Sequence, residues 1–228
     1  MLQYDGDLKL PERFLVAPPA IANTMGEYLI SVGIPQLAIS ETQKYGHVTY
    51  FWNGNRSGKF DDRLETYIEV PSDVVPFEQR PWMKSAEITD ELIRQLQTGK
   101  YRAVRVNYAN GDMVGHTGSF DAAIIAVEAV DLALARLLPV VDAAGGIAII
   151  TADHGNADEM YELDEKTGEP RQNPDGSFAA KTSHTLNPVP CIFYDNQTQG
   201  SLIVRSDPEL GLSNLAATIV NLLGYQAP

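Results

Sequence analysis

Three stretches of this 228-residue chain hold carboxylate and imidazole side chains at spacings that suit a divalent cation. The first reads Asn107-Tyr108-Ala109-Asn110-Gly111-Asp112-Met113-Val114-Gly115-His116-Thr117-Gly118. Asp112 and His116 stand four apart, which on a helical turn puts both on one face, able to grip one ion. Taken alone, such a D-x-x-x-H stretch is more often a glycine-rich turn with a capping Asp. The second, Ala152-Asp153-His154-Gly155-Asn156-Ala157, follows a wholly apolar run. Neighbours on extended backbone point apart, but where a strand ends the chain turns and both can converge. The bland alternative is a turn Asp beside a surface His. The third is Lys181-Thr182-Ser183-His184-Thr185. The chain has only 4 histidines, and His116, His154 and His184 fall in these three stretches. Two carboxylates and three imidazoles are ligands enough for one full metal site and part of another. Mixed oxygen and nitrogen donors suit manganese or zinc better than calcium, and magnesium fits poorly where imidazole dominates. A fourth stretch, Glu41 to His47, contains Lys44. On spacing alone Lys44 reads as a solvated surface lysine, and His47 as a residue that begins the next strand and packs.

Such groups need a scaffold, and the hydrophobic pattern supplies one. Helices are expected from a cap at Asn23 to about Val32, over Ala86–Gln97, over Phe120 to about Leu138 and over Leu215–Leu223. The long helix presents Ala123, Ile124, Val127, Val130, Leu134 and Leu137 as one apolar face. Strands are expected at Leu37–Ser40, Val48–Trp52, Tyr67–Val70, Ala103–Val106, Gly146–Ile150 and Val189–Tyr194. The Gly146–Ile150 run is apolar throughout, as when both faces are covered. Residues 162–180 read as a polar surface excursion, and the Pro-rich residues 1–20 as a linker or entry segment. Strands alternating with helices argue for a layered α/β fold, with a mostly parallel sheet and helices on both faces. In such folds chemistry collects beyond the C-terminal ends of strands, which is where the three stretches fall.

Composition narrows the function. With 44% hydrophobic and 21% charged residues, the chain is no disordered tail, collagen-like fibre or coiled coil. Lys and Arg number 17 against 30 Asp and Glu, a formal charge of −13. That surface repels a phosphate backbone and has no long-range pull on anionic lipid, so neither nucleic acid nor membrane is an expected partner. An anionic substrate would need a local reversal of sign, which a bound cation provides. One cysteine, Cys191, forbids an internal disulfide and suits the cytoplasm.

Five segments carry a resemblance. QYDGDL at Gln3–Leu8, ETQKYGHVTYFWNGN at Glu41–Asn55, NYANGDMVGHTG at Asn107–Gly118, TADHGNADEM at Thr151–Met160 and SHTLNPVP at Ser183–Pro190 resemble the cofactor-independent phosphoglycerate mutases. The likeness runs in order along nearly the whole chain. It implies an alkaline-phosphatase-like α/β core around two divalent ions, manganese first, with zinc, magnesium or cobalt as alternatives. By motif match Asp112, His116 and His184 would hold one ion, and Asp153 and His154 the other. Lys44 would face the phosphoryl group. The implied reaction interconverts 3-phosphoglycerate and 2-phosphoglycerate through a phosphoserine, in a monomeric cytoplasmic enzyme. In the family, an earlier segment supplies the nucleophilic Ser and another metal-binding Asp, and a separate domain binds substrate. Neither is matched here, so residues 1–228 are expected to be the C-terminal segment of the phosphotransferase domain, lacking the nucleophile. Two other readings stand beside this one. One is a metal-dependent phosphohydrolase of the same superfamily. The other is a non-catalytic metal-binding fragment that needs an N-terminal partner.

Overall fold

The computed structural model describes residues 12–16, 19, 21–205, 207 and 209–226. Most of the expected entry segment, including Gln3–Leu8, lies outside them. In chain order the elements are α1 (Met25–Ser31), β1 (Gln36–Glu41), α2 (Thr42–Val48), β2 (Glu65–Val70), α3 (Ser85–Leu96), β3 (Ala103–Asn107), α4 (Asn110–Gly115), α5 (Phe120–Ala143), β4 (Ala148–Thr151), β5 (Cys191–Tyr194) and α6 (Leu215–Leu222). They form two compact units.

The first unit takes Met1–Val70, Thr98–Asn107 and Arg205–Pro228. Its parallel sheet has the order β2-β1-β3. β1 (QLAISE) is paired on both edges and all six of its residues are buried, including Leu37, Ala38 and Ile39. Ile39 faces Ile68 on one side and Val106 on the other. The helix before it starts on Thr24, not on Asn23 as expected. Thr24 and Glu27 form a capping box in which the Thr24 amide donates to Glu27 at 2.8 Å and the Glu27 amide donates back to the Thr24 hydroxyl. That reciprocal pair satisfies two orphan helix donors at once, which a lone Asn cap cannot do.

The expected strand at Val48–Trp52 does not form. β1 runs straight into α2, and the chain then turns on itself: Phe51 N donates to Gly46 O at 2.9 Å and Asn53 N to Thr49 O at 2.9 Å. The aromatic residues that signalled a strand pack in other ways. Phe51 meets His47 edge-on, and Trp52 lies against the Arg105 guanidinium. Packing has overridden β propensity, which mainly reports a fit to a half-buried surface. His47 therefore belongs to α2 rather than to a strand.

The second unit takes Pro71–Gln97 and Tyr108–Val204. Helices α3 and α4 both pack on α5. The buried face of α5 is Ala122, Ala123, Ala126, Ala133 and Leu137, whereas Ile124 and Val127 are 44% and 52% exposed. The expected apolar face is thus rotated toward the alanines, whose small side chains let neighbouring helices approach closely. Met83, Ala109, Val114 and Met160 fill the core beside them. The helix also continues through Pro139 to Ala143, past the expected end. Its termination is set further on, where Gly145 adopts φ 69° and Gly146 N donates to Val141 O.

β4 and β5 pair antiparallel as a two-stranded sheet, with Ile150 opposite Ile192. The apolar β4 was expected to be covered on both faces, but its residues are half-buried or exposed. Residues 162–180 are the expected excursion, a ladder of isolated bridges from Tyr161↔Ala180 to Gln172↔Phe178. Among the described residues no helix is long and apolar enough to cross a membrane.

Candidate metal centre

Asp112 and His116 lie on α4 and its C-terminal cap, where His116 N donates to Asp112 O at 3.0 Å. One helical turn thus brings both side chains to the same side, as the four-residue spacing required. Their Oδ1 and Nε2 atoms are 3.1 Å apart. His184 comes from the segment before β5. That segment is drawn back across the chain by the Gly155↔Thr185 bridge, in which Thr185 N donates to Gly155 O at 2.9 Å. The His184 Nε2 lies 2.9 Å from Asp112 Oδ1 and 3.1 Å from His116 Nε2. Two donors one helical turn apart and a third 68 positions further on therefore form one small triangle.

Asp153 and His154 follow β4 directly. The His154 ring stacks on His184 with centroids 3.6 Å apart, and its Nε2 is 3.9 Å from Asp112 Oδ1 and 3.5 Å from Asp153 Oδ2. Asp153 is more open than Asp112 and reaches the cluster through His154.

The donor set suits a cation. In a tetrahedral site with bonds near 2.0–2.1 Å, ligand atoms stand about 3.3 Å apart, close to the edges observed. The proton assignment points the same way. His116 Nδ1 lies 2.6 Å from the Thr182 carbonyl oxygen and His154 Nδ1 lies 3.3 Å from that of Gly155, so each ring donates there. With Nδ1 so engaged, Nε2 is the ring atom left facing the Asp112 carboxylate, the second-sphere pattern of a metal-binding imidazole.

Sequence spacing did not single out the groups that support these residues. The Asn156 amide donates to Asp112 Oδ1 at 3.1 Å and to its carbonyl at 3.3 Å. Asn156 presses so closely on Gly115 that a Cβ there would meet its Oδ1 at 2.3 Å. Asp158 accepts from Thr185 and Asn187, while Glu159 accepts from Lys181 and Asn187. Burial pushes the Asp158 carboxyl up, but the hydrogen bonds from Asn187 and Thr185 outweigh it and hold it below its ordinary value. Hydrogen bonds from Lys181 and Asn187 lower Glu159 likewise. The visible sign of these roles was the density of Asx and hydroxyl residues just after Asp153-His154 and around His184.

Lys44 belongs to the first unit, on α2 at the C-terminal end of β1. It is 5% exposed, so the solvated reading does not hold. The direct passage from β1 into α2 puts its side chain inside, where a loop would have freed it.

Comparison with known proteins identifies the family and the fold. A family model described as the metalloenzyme superfamily matches residues 6–227. A probable 2,3-bisphosphoglycerate-independent phosphoglycerate mutase of Leptospira interrogans is 53% identical over 231 residues, covering 100% of this chain and 41% of that protein. The 2,3-bisphosphoglycerate-independent phosphoglycerate mutase of Trypanosoma brucei brucei is 51% identical over 229 residues, again 100% and 41%. A crystal structure of Leishmania mexicana phosphoglycerate mutase at low cobalt concentration superposes with a TM-score of 0.95 at 51% identity, over 100% of this chain and 42% of that one. The chain thus spans about two fifths of the length of the curated relatives it matches. Over the part they share, the α/β fold with its parallel sheet and flanking helices is that of the mutase structure. The chain belongs to the metalloenzyme superfamily, and its likeness within that family is to the cofactor-independent phosphoglycerate mutases.

Proposed function

We propose that this chain is the metal-binding part of a phosphoglycerate mutase, an isomerase that interconverts 3-phosphoglycerate and 2-phosphoglycerate through a phosphoserine. The observation that carries the reading is the triangle of Asp112 Oδ1, His116 Nε2 and His184 Nε2, with edges of 2.9 to 3.1 Å. Those three residues would hold one divalent ion, and Asp153 and His154 would contribute to a second. The likeness to the mutases puts manganese first, with zinc, cobalt or magnesium as competitors; the mixed oxygen and nitrogen donors by themselves suit manganese and zinc alike. A bound divalent ion supplies positive charge for phosphoryl oxygens, in a protein of formal charge −13. The chain's own part is to place these donors. The carbonyls of Thr182 and Gly155 hold the proton of each ring at Nδ1, and Asn156 orients Asp112.

Lys44 would stabilise the phosphoryl charge. Its support is the family motif and its burial at the end of β1, where α/β proteins collect chemistry. No serine of this chain is assigned as the nucleophile, so turnover would need the remainder of the enzyme, as a further segment or as a partner. The lone unpaired Cys191 supports the cytoplasm as the compartment.

The test uses the purified chain with MnCl2. The reading expects heat of binding that Asp112→Ala abolishes and His184→Ala weakens. It also expects 3-phosphoglycerate turnover only when a polypeptide corresponding to the rest of a relative is added. Phosphate release from a simple ester by the chain alone would favour the phosphohydrolase reading instead. Binding unaffected by either substitution would remove the assigned site.

A further inference from the structure

His184 sits on a segment that apolar packing does not hold. Thr182, Ser183, His184, Leu186, Asn187 and Pro188 are all exposed. Within that stretch only Thr185 is buried, at 6% exposure. The segment nevertheless has to keep an imidazole about 3 Å from two groups on a different element. Something polar must fix it, and the hydrogen bonds identify what does.

We propose that Asp158 is a positioning residue for the metal centre, fixing the His184 segment by gripping Thr185 and Asn187, one and three residues beyond the imidazole. This rests on the reading of Asp112, His116 and His184 as a metal site. The Asp158 carboxylate takes the Thr185 hydroxyl at 3.0 Å through Oδ2 and at 3.3 Å through Oδ1. Through Oδ2 it also takes the Asn187 amide at 2.6 Å. These are charge-assisted bonds, the stronger kind. Glu159 adds a second hold, accepting from Asn187 at 3.1 Å and from Lys181 at 2.5 Å, so the segment is tied on both sides of His184. The backbone bond from Thr185 N to Gly155 O completes the clamp.

The sequence places this device economically. Asp158 lies four residues after His154, so the loop that supplies one candidate ligand also anchors the segment that supplies another. His154 and His184 stack at 3.6 Å as a result. The Asp158 carboxylate bonds Thr185 and Asn187, the neighbours of His184, so its effect on an ion is exerted through His184.

A double-mutant cycle read by calorimetric titration with MnCl2 tests this, alongside hydrogen exchange of the metal-free chain. Asp158→Ala should weaken Mn2+ binding about 10- to 100-fold, the usual effect of losing an outer partner. Asp158→Asn keeps the shape and one acceptor, and should weaken it less, which covers the case in which the alanine variant fails to fold. In metal-free protein both variants should speed exchange at the Thr185 amide and leave the α5 amides protected. In a His184→Ala background Asp158→Ala should cost nothing more. An equal loss with and without His184 would show a merely structural effect, and wild-type affinity in both Asp158 variants would overturn the positioning role. A wild-type chain that takes no ion would overturn the metal reading itself, a result distinct from either.

Discussion

Substituting Gly155 by alanine puts the largest strain on the site for the smallest chemical change. An added methyl would stand 2.0 Å from Thr185 Oγ1 and 2.6 Å from Asp158 Oδ1, where ordinary contact begins at 3.4 Å. The Thr185 side must therefore retreat by about 1.4 Å, or the loop after β4 must do so in its place. Metal sites tolerate about 0.2 Å of error in a bond, so either movement takes His184 or His154 out of range. Overpacking of this kind costs about 1–3 kcal/mol of stability, and the strained Asp158 bonds add to it. Gly155→Ala should lower the melting temperature and weaken Mn2+ binding by about 100-fold, the upper end for a lost outer partner. Gly111→Ala is the matched control. It lies in α4 next to Asp112, a Cβ there meets nothing within 4 Å, and the helix gains about 1 kcal/mol of propensity. That variant should bind Mn2+ as the parent does. Calorimetric titration and thermal melts of the two variants read both effects. Wild-type affinity in Gly155→Ala would refute the view that the Gly155–Thr185 approach sets the site.

Other outcomes follow from the two units. Arg105 donates to Val48 O at 2.7 Å and to Gln36 Oε1 at 3.1 Å, between the Trp52 and Tyr67 rings; Arg105→Met should cost about 2–4 kcal/mol in urea unfolding by stranding those acceptors. Burial, with a smaller push from the hydrogen bond to Glu65, carries Tyr67 up to about 12 against the pull of Asn53. Its folded pKa is raised, so its contribution is whole below pH 10, the unfolded value, and is lost as pH climbs toward 12; ultraviolet titration of the phenol together with stability measured from pH 9 upward checks this. Titration with Mn2+ should show one ion bound well and a second weakly, since Asp153 and His154 are only two ligands; two equally tight ions would contradict that count. The chain by itself should not convert 3-phosphoglycerate at the rate of an intact mutase, which a coupled assay measures directly.

The sequence was most legible where periodicity and chemistry agreed. The apolar run of β1, the spacing of α3 and the four-residue step from Asp112 to His116 each follow from one element's own geometry. Residues 48–52 misled because Thr, Tyr, Phe and Trp carry the same signal whether they line a strand or fill a turn against His47 and Arg105. The face of α5 misled because hydrophobicity ranks Ile124 and Val127 above alanine, whereas close helix packing selects alanine. The candidate ligands were legible because imidazole is scarce in this chain. Asn156, Asp158 and Asn187 were not, because Asx residues are common in turns and only the folded contacts show which of them hold a candidate ligand or its segment.

The proposed metal centre requires that Asp112, His116 and His184 share one divalent ion. Anomalous diffraction from crystals of this chain grown with MnCl2, collected on both sides of the manganese edge, tests it most directly. A shared ion gives a manganese peak within about 2.0–2.3 Å of Asp112 Oδ1, His116 Nε2 and His184 Nε2 together. Ordered side chains at those three positions with no peak among them, or with the peak elsewhere on the chain, would contradict it.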